Sequence, residues 1–214
     1  MSTIVVFGAG GTAGSRVTAE AVGRGHRVIA AVRRPEATSY LPAGVRVVTG
    51  DATSERTVRE VAPDADALVV AIGGGAERGL WRNAAENLVT TLRGMPAAPR
   101  IIHLGGGSTL LTPKGTRFLD EPDFPAEYRD SALGQADALD YYRTSADGVS
   151  WTYVSPPPLE FHPGERTGHY RTGADEPVTD DQGRSVLTYE DLAVAIVDEI
   201  EQARHENTRF TVAY

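Results

Sequence analysis

No cysteine occurs among the 214 residues, which excludes disulfides, thiolate nucleophiles, cysteine-ligated zinc and iron–sulfur clusters. Any redox chemistry must therefore come from a dissociable cofactor. Lysine is almost absent as well: Lys114 is the only one, so a mechanism that needs a lysine has a single candidate. Positive charge is in deficit, with 21 basic against 29 acidic residues and a net charge of −8. Such a chain has no basic field to gather phosphate backbones, and nucleic acid is not expected as a partner. No apolar run has the length that spans a bilayer, and the first residues, Met1 to Phe7, lack the basic segment of a secretory signal. The expectation is a cytoplasmic protein, without membrane contact, that acts on a small molecule; its oligomeric state cannot be read from the chain. The length suits one α/β domain, 1–214, and leaves no room for an ordinary second domain.

What is present is a succession of short, β-branched apolar runs with helical patterns between them, the order of a doubly wound parallel sheet of the Rossmann type in three α/β/α layers. Seven strands are expected, at 3–7, 27–32, 45–48, 67–72, 100–104, 151–154 and 209–213. Trp81, Ala84, Ala85, Leu88 and Leu92 fall on one helical face and predict a helix over 80–93, ended by Gly94 and Pro96. Thr188 and Asp191 form a capping-box-like pair ahead of Leu192, Ile196 and Ile200 and predict a last helix. Two stretches, 105–130 and 156–187, read as long loops. Both follow strands whose C-terminal ends face the ligand crevice of such a sheet, and Phe161 and Tyr170 would be costly to expose there. They are expected to shape a substrate pocket, with those two rings as an apolar wall.

The segment from Gly8 to Gly14, with Gly8, Gly10, Gly11, Thr12, Ala13 and Gly14, lies between a buried strand and a helix. A pyrophosphate can approach the backbone only where no Cβ intervenes, and the N–H groups of the next helix then point at its charge. The spacing fits Gly8-x-Gly10-x-x-Ala13 or Gly8-x-x-Gly11-x-x-Gly14. At the end of the second strand an acid would bind the ribose hydroxyls of NAD; this chain has Arg33 and Arg34 instead. A guanidinium clamps the 2′-phosphate of NADP, so NADP is expected over NAD, and Arg16 in the first helix is placed to reach the same phosphate.

Gly8-x-x-Gly11-x-x-Gly14, Arg33, Gly50-Asp51-Ala52 and Trp151-Thr152-Tyr153-Val154-Ser155-Pro156-Pro157 together resemble the atypical short-chain dehydrogenases, over nearly the whole chain. The nearest likeness is to the single-domain NAD(P)H-binding group that includes NADH-flavin reductase-like proteins, biliverdin reductase B and the NmrA-like regulators. The resemblance implies that Asp51 and Ala52 flank the adenine and that Ala71, Ile72 and Gly73 line the nicotinamide ribose. It also implies that Ser108, Thr109 and Pro156 surround the nicotinamide ring, with Ser108 near the substrate. Asp51 has a second reading, as the cap of a helix beginning near Ser54.

The wider superfamily uses a Tyr-x-x-x-Lys pair in which lysine lowers the tyrosine pKa. Lys114 is preceded four positions earlier by Leu110, so that pair cannot form. What remains is hydride transfer to a flavin, a quinone or another conjugated acceptor, whose ring stabilises the added charge. An NADP-binding sensor without turnover is the alternative. His103, at the fifth strand's end, reads either as a proton donor beside the nicotinamide or as a satisfied core residue. His162 and His169 lack metal-ligand spacing, and no metal is expected.

Overall fold

The computed structural model describes residues 1–34, 38, 41–73 and 77–214. Eight strands form one sheet in the order β3-β2-β1-β4-β5-β6-β10-β8. They are β1 Thr3–Phe7, β2 Arg27–Val32, β3 Arg46–Thr49, β4 Ala67–Val70, β5 Arg100–Leu104, β6 Trp151–Ser155, β8 Arg171–Gly173 and β10 Thr208–Ala213. Every neighbouring pair is parallel except β10 and β8. The expected doubly wound α/β class is the observed one, and the chain reverses its direction of travel across the sheet between β1 and β4. Val6 lies opposite both Ala30 and Val69 in the register.

Alternation along each strand divides the core in two, because successive side chains leave opposite faces of a sheet. Val5 and Phe7 of β1, with Leu68, Val70, Ile101 and Tyr153, pack under α2 (Glu55–Val61), α3 (Gly79–Leu92) and α4 (Arg129–Ser145). Ile4 and Val6, with Val69, Ile102 and Val154, pack under α1 (Thr12–Gly23) and α5 (Tyr189–Gln202). Leu192, Ile196 and Val197 of α5 are fully buried, and each such side chain contributes about 1.5–3 kcal/mol relative to exposure.

The seven expected strands are all present, their ends moved by two residues at most. The last helix also starts where its cap predicts: the Thr188 hydroxyl accepts the Asp191 N–H at 3.1 Å. Two expectations need correction. The stretch 156–187 is not a plain loop: it contains β7 Glu160–His162, β8 and the start of β9 Val186–Thr188, with β7 and β9 paired in parallel as a separate two-stranded sheet. Each is three residues long, too short to show a period of two, and β7 and β8 have exposed positions. The stretch 105–130 contains three 3₁₀ turns, at Gly107–Thr109, Phe118–Asp120 and Ala126–Tyr128. Helix α4, unpredicted, buries mainly small residues, Ala132, Gly134, Ala136 and Ala138, which give a weak apolar signal. Gly134 has no room for a side chain because α3 comes close: a Cβ there would lie inside the Arg78 carbonyl and 2.8 Å from the Trp81 ring, while Ala132 and Ala136 pack on Leu119.

Candidate functional site

Between β1 and α1 the backbone turns through Gly8 at φ +79°, a left-handed conformation that L side chains rarely adopt. A Cβ there would also collide with the Ala71 carbonyl, and one on Gly14 would collide with the carbonyl of Gly8 and lie 3.0 Å from Ala9 Cα. At Gly11 it would come within 3.3 Å of the same Gly8 oxygen. These close approaches fall on the Gly8-x-x-Gly11-x-x-Gly14 spacing. Helix α1 begins at Thr12 with no side-chain cap and no acidic residue in its first turn, while Gly11 and Thr12 are exposed. Its unpaired N–H groups and positive dipole end therefore face the crevice beside Gly8, Gly10 and Ala13, as a diphosphate requires. The lack of Cβ atoms and the bare helix end fit a dinucleotide.

Arg33 and Arg34, just beyond β2, are both exposed. Arg33 Nε stands 4.0 Å from Asp51 Oδ2. Asp51 is not the cap of α2. That cap is Ser54, which accepts the Thr57 N–H at 3.3 Å, while Asp51 Oδ1 closes a local turn by accepting the Thr53 N–H and hydroxyl at 2.8 Å each. Ala52 is buried and its carbonyl accepts from Asn87 Nδ2 at 2.8 Å, which fixes the strand end beside Asp51. Arg16 departs from its expected role. Its Nε donates to Glu190 at 2.8 Å and its Nη1 to the Thr12 carbonyl at 3.0 Å, so the side chain lies along α1 towards α5.

At the other end of the crevice Ala71 is buried, Ile72 half-buried and Gly73 exposed, with the Ile72 carbonyl held by Trp81 Nε1 at 3.2 Å. The loop after β5 packs tightly: a Cβ on Gly107 would lie 2.5 Å from both the Pro156 carbonyl oxygen and Pro158 Cα, and one on Gly105 would strike the Tyr153 ring. Ser108, in the 3₁₀ turn, is half-buried. Its neighbour Thr109 corrects the expectation that it meets substrate. Thr109 Oγ1 donates to the Gly106 carbonyl at 3.1 Å and accepts from Arg209 Nη1 at 3.1 Å, which leaves it fully engaged.

His103 is likewise a core residue rather than a proton donor to the crevice. It is completely buried, stacks on Tyr153 with ring centroids 5.3 Å apart, and its Nδ1 meets the Tyr142 hydroxyl at 3.0 Å. Burial drives its pKa down to about 3, so the ring stays neutral. Tyr170 is reassigned too. Its hydroxyl donates to Asp198 at 2.5 Å, in the third turn of α5, which docks the strand β8 segment on that helix instead of walling the crevice. Phe161 packs on Tyr189 at the start of α5, 3.8 Å between centroids.

Two anchoring roles carried no sequence signal, since the spacing offers Asp191 only as the partner of the Thr188 cap. Arg209 is buried on β10; its Nη1 also donates to the Thr109 carbonyl at 3.0 Å and its Nη2 pairs with Asp175. Asp191 is buried at the start of α5, accepting from the Thr167 hydroxyl at 2.6 Å, the Gly168 N–H at 2.8 Å and the Tyr214 hydroxyl at 2.7 Å. Both residue types are common at the surface, and only the fold brings their partners together.

The sheet order, the glycine turn and the bare helix end define a dinucleotide-binding domain of the doubly wound class. The chain belongs to the NAD(P)H-binding family, whose profile matches residues 8–203. It is 36% identical to protein YwnB of Bacillus subtilis (strain 168) over 213 residues, 98% of this chain and 97% of that one. Among solved structures it is similar to a candidate exported protein of Burkholderia pseudomallei, at 36% identity and TM-score 0.87 with both chains fully covered. A candidate NADH-flavin reductase of Streptococcus pneumoniae TIGR4 shares 31% identity and TM-score 0.87, covering 100% of this chain and 99% of that one. A nicotinamide dinucleotide is thus the cofactor of the family, and among the described residues no helix is long and apolar enough to cross a membrane.

Proposed function

We propose that the protein is an NADPH-dependent oxidoreductase that reduces a small planar or conjugated acceptor, such as a flavin or quinone, without a Tyr-x-x-x-Lys pair. The observation that carries this reading is the uncapped N-terminus of α1 above the close-packed Gly8, Gly11 and Gly14. In it the residues from Gly8 to Gly14 hold the diphosphate, Arg33 with Arg34 takes the 2′-phosphate, and Asp51 with Ala52 borders the adenine. Ala71, Ile72, Gly73 and Pro156 border the nicotinamide riboside. The bound nicotinamide supplies the hydride. Ser108, half-buried on the loop after β5, orients the acceptor and stabilises the charge it gains. The acceptor takes up that hydride and one proton from water, and NADPH leaves as NADP⁺. The pneumococcal relative's name, a flavin reductase, supports the acceptor class.

Loss of NADPH absorbance on adding riboflavin, a quinone or a small aldehyde tests the reading. Turnover with the ring acceptors and none with the aldehyde is the expected result; turnover with none of them overturns it. Tight NADPH binding in that second case, with a protein partner retained only in one cofactor state, would identify a sensor.

A further inference from the structure

Ser155, Thr211 and Arg209 each bury a polar atom that has no hydrogen-bond partner among the described residues: the two hydroxyl oxygens and the guanidinium Nε. Ser155 and Thr211 are fully buried, and Arg209 is 5% exposed. The three lie together. Ser155 of β6 pairs with Thr211 of β10 in the parallel register, so their side chains leave the same face of the sheet side by side. Arg209, two residues before Thr211, leaves that face as well. The Thr211 methyl meets β8, where a Cβ on Gly173 would lie 3.1 Å from it, so the hydroxyl is turned away from that strand.

Native proteins seldom leave a buried polar group unpaired, because each one forfeits the hydrogen bonds it had in water. A patch of them therefore marks a seat for a ligand small enough to be enclosed. Its chemistry follows from the donors. Nε can only donate, and both hydroxyls can rotate to donate, so an occupant that only accepts satisfies all of them. Charge favours the same class. Asp175 is the carboxylate that pairs with Arg209, but it is exposed and also serves Arg143 at 3.1 Å. The other acid on this flank, Asp140, is exposed on α4. A buried guanidinium whose partner is shared and solvated favours an anion over a neutral water beside it.

We propose that Arg209, Ser155 and Thr211 form a binding seat for one chloride ion between β6 and β10. Because the same guanidinium holds Thr109, the bound ion also braces the turn that carries Ser108. The proposal does not depend on the oxidoreductase reading. Thermal unfolding of the full chain without nucleotide tests it, in buffers of constant ionic strength where chloride replaces gluconate, an anion too large to be enclosed. Each tenfold rise in chloride above the dissociation constant should raise the wild-type Tm by about 3 °C. Thr211→Val and Ser155→Ala keep the packing nearly intact and remove one donor each. Both should unfold at a lower temperature than wild type in chloride and lose most of the chloride dependence, which also controls for general salt effects. Thr211→Ser keeps the hydroxyl and should retain that dependence. A higher Tm in Thr211→Val and Ser155→Ala, the result for hydroxyls buried without any partner, would overturn the seat. A wild-type Tm indifferent to chloride, with both variants less stable, would put a water molecule there and overturn the anion. Equal chloride dependence in wild type and in both variants would move the ion elsewhere and overturn the assignment to these residues.

Discussion

The guanidinium of Arg33 and the carboxylate of Asp51 face each other at 4.0 Å where β2 and β3 end. The Arg33 side chain is 69% exposed, and an ion pair so open to water contributes about 0–1 kcal/mol. Such a pair leaves the arginine uncommitted, and under the proposed function a 2′-phosphate, more highly charged than the carboxylate, takes the guanidinium over.

Arg33→Ala should therefore weaken NADPH by roughly 10- to 150-fold, the loss of a charge-assisted bond of about 1.5–3 kcal/mol, and leave NADH nearly unchanged. Titration with both nucleotides checks this. Equal losses would remove Arg33 from the 2′-phosphate, and a selective loss in Arg34→Ala instead would transfer the role to its neighbour.

The glycines of the β1–α1 turn should separate by their surroundings. Gly14→Ala pushes a methyl into the Gly8 carbonyl, and overpacking of that kind costs about 1–3 kcal/mol, seen as a lower urea midpoint even without nucleotide. Gly11→Ala meets only one atom, at 3.3 Å, on an exposed residue. It should keep near-normal stability while NADPH affinity drops, because the added methyl stands where the diphosphate must approach.

Ser108→Ala should lower kcat by about tenfold or more with little change in acceptor KM, since a hydroxyl that stabilises developing charge acts mainly in the transition state. Arg209→Met should show a different pattern. Removing the guanidinium frees the Thr109 carbonyl and hydroxyl, costs about 2–3 kcal/mol of stability, and loosens the loop, so kcat and KM should change together. Unchanged kcat in Ser108→Ala would make that serine an ordinary loop residue.

His103 gives a pH prediction with a definite sign. Its pKa falls from 6.5 to about 3 on folding, so below pH 6.5 the unfolded chain binds a proton that the folded chain refuses. Stability from this group is present above 6.5 and is lost as pH falls from there towards 3, by up to about 1.4 kcal/mol per pH unit. His103→Phe should flatten that part of the stability–pH curve and cost about 1–3 kcal/mol at neutral pH, since the Tyr142 hydroxyl loses its partner. Turnover per folded molecule should stay near wild type. A large loss of kcat would return His103 to the chemistry.

Much of the fold was legible because its signals are local. Buried parallel strands are continuous apolar runs, Thr188 caps through its own hydroxyl, Gly8 is required by its own left-handed φ, and Gly14 by the Gly8 carbonyl earlier in the same turn. The spacing alone could not choose between the two glycine patterns; the close approaches to the Gly8 carbonyl do. Helix α4 stayed hidden because its inward face is mainly alanine and glycine, with Leu139 and Tyr142 as its only large buried side chains, and β7, β8 and β9 because three residues cannot establish a period. Side-chain roles were least legible where the partner lies far along the chain. Tyr170 needed Asp198, Thr109 needed Arg209 and Arg16 needed Glu190, and nothing in the residues themselves distinguishes an engaged hydroxyl or guanidinium from a free one.

Arg209 grips Thr109 with one nitrogen and Asp175, two residues past β8, with the other. The Leu111 N–H adds a second tie, to the Asp175 carbonyl at 2.8 Å. Strand β8 is the outermost of the sheet, the kind of element that ordinarily frays by itself in fast local openings. Here an opening that carries Asp175 away also breaks the ties on Thr109 and Leu111, so the margin of the sheet and the turn bearing Ser108 share one cooperative unit. Their amide protons should exchange together, and a perturbation applied at the sheet's far margin arrives at the crevice.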